Sequence, residues 1–302
     1  MRFYTAEING KEEILVGFDD KKVAYRLPVL AKLAPQLAFT DMNSLIAGWS
    51  ASVREALVAL AANADVLRGA AVQVAEVKLC APIVHPRQDV ICLGINYAAH
   101  GVEAGHFSSE DFGGERPYTI YFSKRVNRAT ATGEAVPSYE GLVDSLDYEC
   151  ELGVVLGKDC KGVSVSEARE YIFGYTIIND ISARNLQTRH KQWYLGKSLD
   201  GFTPMGPCIV TADEIGDEQA LDISCTVNGQ LRQNSNTSRM LQTVCGAISE
   251  LSQGITLQAG TIIATGTPAG VGMGMKPPVF LNPGDEIVCH IEKIGDLVNT
   301  IA

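Results

Sequence analysis

The sequence predicts an α+β, β-rich fold: a small N-terminal β-hairpin-and-helix domain over residues 1–75 and a larger second domain over residues 76–302. Three observations carry this reading. Short apolar runs of strand period outnumber helical patterns. Asn-Gly pairs at 9–10 and 228–229 mark tight hairpins. Strands and helices do not alternate regularly along the chain. With 302 residues there is room for both units.

Residues 2–8 alternate as a strand, Asn9-Gly10 turns the chain, and residues 14–18 pair back. Asp19-Asp20 then turns it into a third short strand at 22–26. Leu45, Ile46, Trp49, Val53, Leu57 and Leu60 recur at helical spacing, which predicts one helix. This unit has no histidine and no convergent acids, so it is assigned a scaffolding role. Ala81-Pro82 and His85-Pro86 punctuate an extended linker. A strand at 90–95 enters the loop GINYAAHGVEAG, and residues 107–116 (FSSEDFGGER) read as a mobile lid loop. A strand at 118–122 ends at Ser123, Lys124 and Arg125, where Lys124 either meets a substrate anion or simply snorkels. Further on come a strand at 207–211, a second hairpin at 222–232 and a helix at 238–251. That helix carries Met240, Leu241, Val244, Ile248 and Leu251 on one face. Residues 261–265 read as a buried strand, and 286–293 with 297–301 as two strands around Gly295-Asp296.

The chemistry concentrates in residues 146–206. Glu149 and Glu151 sit in an alternating run (LDYECELGVVLGKD), and residues i and i+2 of a strand share a face. Asp180 closes the next apolar run, with Arg184 and Gln187 after it; Lys197 and Asp200 close the third. Three acids from two strands suggest a hard divalent cation held through oxygen, Mg²⁺ first and Mn²⁺ or Ca²⁺ behind it. Upstream, His100 and Glu103 are neighbours if their segment is helical. A carboxylate beside an imidazole builds a base able to activate water, although the same spacing fits an exposed loop pair.

Composition excludes several classes. A formal charge of −10 argues against nucleic acid and anionic membrane surfaces as partners. Eight scattered cysteines with no C-x-x-C spacing read as buried free thiols, not as a zinc site or a disulfide framework. No apolar run is long enough to span a bilayer and the N-terminus has no signal core, so a cytoplasmic location is expected. GVGMG at 270–274 lacks the dinucleotide-binding spacing, and there is no P-loop, H-E-x-x-H or G-x-S-x-G.

Six motifs together resemble the fumarylacetoacetate hydrolase family, over residues 90–302: GINYAAH, DYECELGVVLGK, INDISARNLQ, GKSLDGFTPMGP, NTSRMLQTV and ATGTPAGVG. The resemblance implies a mixed β-sandwich roll, a homodimer, and Mg²⁺ or Mn²⁺ held by Glu149, Glu151 and Asp180. It places a catalytic pair on His100 and Glu103. Arg184, Gln187, Lys197 and Thr267 fall where the family holds the substrate's carboxylate and its oxo or enolate oxygens. Two departures stand out: Asn185 where the family often has Asp, and Gly201 where it often has Thr. Neither touches an implied metal ligand, so they bear on substrate preference. The implied activity is hydrolysis of a C–C bond in a 2,4-dioxo acid, of acylpyruvate or fumarylpyruvate type, through a metal-bound enolate with Lys197 stabilising the charge. Oxaloacetate-type decarboxylation and 2-hydroxyhepta-2,4-diene-1,7-dioate isomerisation pass through the same enolate. A lyase or dehydratase of sugar-derived 2-oxo acids, and a non-catalytic metal-binding member, stand further off.

Overall fold

The computed structural model describes residues 1–18, 22–114 and 117–302. The expected Asp19-Asp20 turn, and Glu115-Arg116 at the end of the expected lid, lie outside the described residues. Among the described residues, the larger sheet has eleven strands. In spatial order they are Ala71–Gln73, Val23–Arg26, Lys11–Gly17, Arg2–Ile8, Met205–Thr211, Ile172–Asn179, Cys150–Leu156, Ile262–Ala264, Val90–Gly94 and Ile120–Lys124, with Lys78–Cys80 also pairing Arg2–Ile8. A five-stranded sheet runs Gln230–Asn236, Asp222–Val227, Glu286–Ile291, Gly295–Ile301, Ala135–Val136. With the helices, this is the α+β, β-rich fold expected.

The two-residue period of a strand lets the larger sheet build two cores at once. Leu152 and Val154 point into a cluster shared with Ile223, Ile287 and Leu297 of the smaller sheet. Val155, between them in register, joins Phe3, Val16, Leu45 and Leu57 on the other face, under the N-terminal helices. Both Asn-Gly hairpins form as expected: Asn9 and Gly10 have φ of 53° and 73°, Asn228 and Gly229 of 51° and 73°. The first strand also crosses the residue-75 boundary, pairing Arg2 with Val210 and Thr5 with Cys80. All eight thiols are free, and no helix of the described residues is long and apolar enough to cross a membrane.

Several elements differ from expectation, each for a local reason. The N-terminal helix is two, Met42–Ala47 and Ala51–Ala61, because Gly48 ends the first and the Ser50 hydroxyl caps the second at Val53 N–H. The helix expected from 238 begins at Val244, capped by Thr243, since Asn96 takes the N–H groups of Leu241 and Gln242. The last turn lies at Glu292–Ile294 with Lys293 at φ 65°, so Gly295 and Asp296 belong to the final strand. The stretch expected as a loop from Phe107 is partly helical, through Phe107 and again over Ser109–Phe112. His290, expected to lack a partner, pairs with Asp296 at 2.6 Å.

Gly174 shows how tightly the central strands are bound. A Cβ there would lie 2.3 Å from the Val210 carbonyl oxygen of the neighbouring strand. Gly174→Ala is expected to cost about 1–3 kcal/mol, read as a lower urea midpoint; an unchanged midpoint would show that the strands can separate freely.

Candidate active site

Four adjacent strand ends meet at one edge of the larger sheet. They are the start of Cys150–Leu156 and the ends of Ile172–Asn179, Ile262–Ala264 and Val90–Gly94, whose directions follow from their pairing. Glu149 precedes the first of these strands and Glu151 lies in it; Asp180 directly follows the second. Two clamps bring them together: Asp180 N–H donates to Glu149 O at 2.8 Å, and Glu149 N–H to Asn179 Oδ1 at 3.0 Å. All three acids are buried, with carboxylate oxygens within 4.8 Å of one another.

Like charges so close need cations, and the chain supplies three buried ones. Lys197 Nζ bridges Glu149 Oε2 at 2.8 Å and Asp180 Oδ2 at 2.7 Å. Arg184 reaches Glu149 Oε1 at 2.6 Å and Asp147 Oδ2 at 2.8 Å, and holds Gln187 Oε1 at 3.0 Å. Lys124 corrects the expectation for it: it neither meets a substrate anion nor snorkels, but is fully buried and donates to Asp180 Oδ1 and to Ile181 O. Burial alone would raise the Glu149 carboxyl, yet Lys197, Arg184 and His100 outweigh it and hold that group well below the usual carboxylate range. Burial lowers Lys124 despite Asp180. On Lys197 the charges of Asp180 and Glu149 overcome burial and raise it.

Glu151 has no such partner. Its Oε2 accepts only the Gly266 N–H, at 2.8 Å, and no cation of the described residues lies within ion-pair distance. Burial, then the charges of Asp180 and Glu149, push its carboxyl well above the ordinary value. A buried carboxylate lacking a counter-charge, beside two others, is what a hard divalent cation would satisfy, so the residues fit the implied metal.

Against this cluster stands the expected pair. His100 and Glu103 lie on the helix Ala98–Phe107, with Nδ1 2.9 Å from Glu103 Oε1. A carboxylate only accepts, so Nδ1 carries the proton and Nε2 is left with its lone pair. Gly270 N–H pins both Glu103 oxygens at 3.1 and 3.0 Å. Only glycine serves there: φ is 107°, and a Cβ would lie 2.0 Å from Arg232 O. Thr267 donates to Cys150 O and accepts from Gln233 Nε2.

His100, Glu149, Glu151, Arg184, Gln187, Lys197 and Thr267 line a single cavity of about 20 Å³, room for about one water. Glu103 and Asp180 stand just behind its wall, each bonded to a lining residue. The roof is aromatic: Trp193 packs on Phe112 and Phe122 with ring centroids 5.7 and 5.2 Å away. Sequence reasoning missed Asp147, which takes Gly272 and Met273 N–H at 2.7 and 3.0 Å besides Arg184. It also missed Gln233, from the smaller sheet, whose Oε1 accepts Cys150 N–H.

The profile of the fumarylacetoacetate (FAA) hydrolase C-terminal family matches residues 89–302, the span that carries every one of these groups. The chain belongs to that family. It is 47% identical to oxaloacetate tautomerase YisK of Bacillus subtilis (strain 168) over 226 residues, 75% of this chain and 73% of the relative. Among solved FAA hydrolase structures, fumarylacetoacetate hydrolase of Exiguobacterium antarcticum superposes with TM-score 0.80 at 36% identity, covering 100% and 99% of the two chains. A 5-carboxymethyl-2-hydroxymuconate delta-isomerase of Mycobacterium smegmatis gives 0.73 at 28%, with coverage of 100% and 99%. A tautomerase, a hydrolase and an isomerase thus share this FAA hydrolase fold.

Two outcomes follow from the charges. Lys124→Met is expected to destabilise the metal-free protein by about 3–5 kcal/mol, because Asp180 loses a buried partner; paired melts with and without EDTA measure it. For Glu151 the sign runs as for any carboxyl raised on folding: its contribution is whole below the ordinary glutamate value and is lost as pH climbs toward the raised one. The metal-free protein should therefore release protons on taking up Mg²⁺ near neutral pH, seen by calorimetry in buffers of different ionisation heat. A heat independent of buffer would contradict this.

Proposed function

We propose that this protein is a divalent-metal-dependent enzyme of small 2-oxo acids that moves a proton at the carbon beside the 2-oxo group, with oxaloacetate tautomerisation as its principal reaction. One observation carries the reading: His100, whose free Nε2 belongs to the cavity wall, shares about 20 Å³ with Glu149, Glu151 and Lys197. A base and the groups that stabilise an enolate occupy one closed space, and a large acyl group has no room in it. The 47% identity to a protein named for oxaloacetate tautomerisation supports the same choice.

Glu149, Glu151 and Asp180 would hold the metal, Mg²⁺ or Mn²⁺, which when bound supplies Lewis acidity toward the substrate's carboxylate and 2-oxo oxygens. His100 Nε2 takes the carbon-bound proton, and Glu103, on Nδ1–H, steadies the resulting imidazolium. The ammonium of Lys197 stabilises negative charge gathering on the 2-oxo oxygen. Gln187 and Thr267 orient the acid from the cavity wall. Arg184 is committed to Asp147, Glu149 and Gln187, so its part is to hold the last two in place. Phe112, Phe122 and Trp193 exclude bulk water, which strengthens each of these interactions.

Hydrolysis of an acylpyruvate-type 2,4-dioxo acid is the second reading, favoured by the complete His100–Glu103 pair, which suits a water-activating base. Oxaloacetate decarboxylation and diene-dioate isomerisation draw on the same residues. The deciding experiment follows oxaloacetate enolisation, its decarboxylation and acetylpyruvate cleavage with Mg²⁺ or Mn²⁺, after EDTA, and in His100→Ala. Tautomerisation should be fastest, vanish with EDTA and fall about 10²–10⁴-fold in the variant. Faster acetylpyruvate cleavage would place hydrolysis first. No turnover of either acid with metal bound would discard both, leaving sugar-derived 2-oxo acids or a non-catalytic role.

A further inference from the structure

The helix Ala98–Phe107 carries a third titratable side chain, His106, three residues past Glu103 and six past His100. Three-residue steps place the members of such a row beside one another on the helix surface. Exposure rises along it: the His100 side chain is 6% exposed, Glu103 15%, and His106 lies open to solvent. The row also joins two cavities. His100 lines the inner one, while Glu103 and His106 line an outer one of about 400 Å³, and Met273 borders both. Gly274 lines the outer cavity as well. A Cβ on it would lie 2.3 Å from Glu103 Oε2, so the glycine leaves that oxygen facing the outer space.

The inner cavity holds about one water, so a proton gathered by His100 cannot reach bulk solvent there. We propose that His100, Glu103 and His106 form a proton relay out of the closed site, with His106 as its solvent-side exchange group. The inference rests on the proton abstraction assigned to His100 above. As Nε2 of His100 gains the substrate's proton, Nδ1 yields its own to Glu103. Glu103 passes a proton to water in the outer cavity, and His106 accepts it and releases it to solvent. Each step breaks one N–H, O–H or C–H bond and forms another, and no electron changes hands. Of the charged groups facing His106 in that cavity, Glu103 favours uptake and Lys276 favours release.

His106→Gln tests this, since an exposed position tolerates the change. In dilute buffer kcat should fall about tenfold with KM unchanged, the scale of a displaced proton transfer. Added imidazole should restore it while leaving the wild type unmoved. In D₂O, deuterium uptake at the reacting carbon should slow in parallel. A variant equal to wild type in dilute buffer, or a loss that imidazole does not repair, would overturn the relay while leaving the proposed reaction intact. A wild type that turns over no 2-oxo acid would instead remove the reaction, and the relay with it.

Discussion

Four buried carboxyl groups within one dry corner of a sheet are the constraint on which this molecule turns. Asp147, Glu149, Glu151 and Asp180 face three buried cations, Lys124, Arg184 and Lys197. Desolvating so many charges costs several kcal/mol each unless geometry returns it. Every cation therefore makes more than one contact, and the backbone adds its own donors to Asp147 and Glu151. The arrangement is one charge short of balance at Glu151. A site built with that deficit is poised for an additional cation in a way that a self-satisfied network is not.

The fold supplies what the charges need. Strand pairing brings Glu151 level with Ile178, so Glu149 and Asp180 come together where the paired strands end, and the position is set by a ladder of backbone bonds rather than by a loop. The smaller sheet takes part through Gln233, which ties the metal-bearing strand to Thr267 and Pro268. Asp147 does the same for the 270–275 segment that carries Gly270 and Met273. Loosening the sheets against each other would therefore loosen the site.

What the sequence disclosed follows from range. Glu149 and Glu151 are two residues apart, and His100 and Glu103 three, so strand and helix periods alone put each pair on one face. The hairpins at Asn9-Gly10 and Asn228-Gly229 are equally local. Bringing Asp180, Lys197 and Thr267 to the same place needed the motifs' family resemblance, because no short-range rule links residues so far apart. Lys124 was misjudged because depth is invisible in a strand pattern: a lysine at a strand end looks the same whether it snorkels or plugs a carboxylate cluster. Gln233 and Trp193 reach the site from other elements, and nothing nearby in sequence marks them. The helix break at Gly48–Ser50 and the late start at Val244 came from caps, which override apolar spacing.

The first strand holds a place in the middle of the larger sheet, between Lys11–Gly17 and Met205–Thr211, and the terminal ammonium of Met1 is engaged by Glu214 and Thr211. During synthesis that strand emerges first, yet its second neighbour follows some two hundred residues later. Until then the hairpin exposes an open edge, with an apolar face awaiting its cover. Loop closure over such a separation slows assembly. Productive folding is thus timed by the arrival of residues 205–211, and anything fused ahead of Met1 competes with the ion pair that seats the strand.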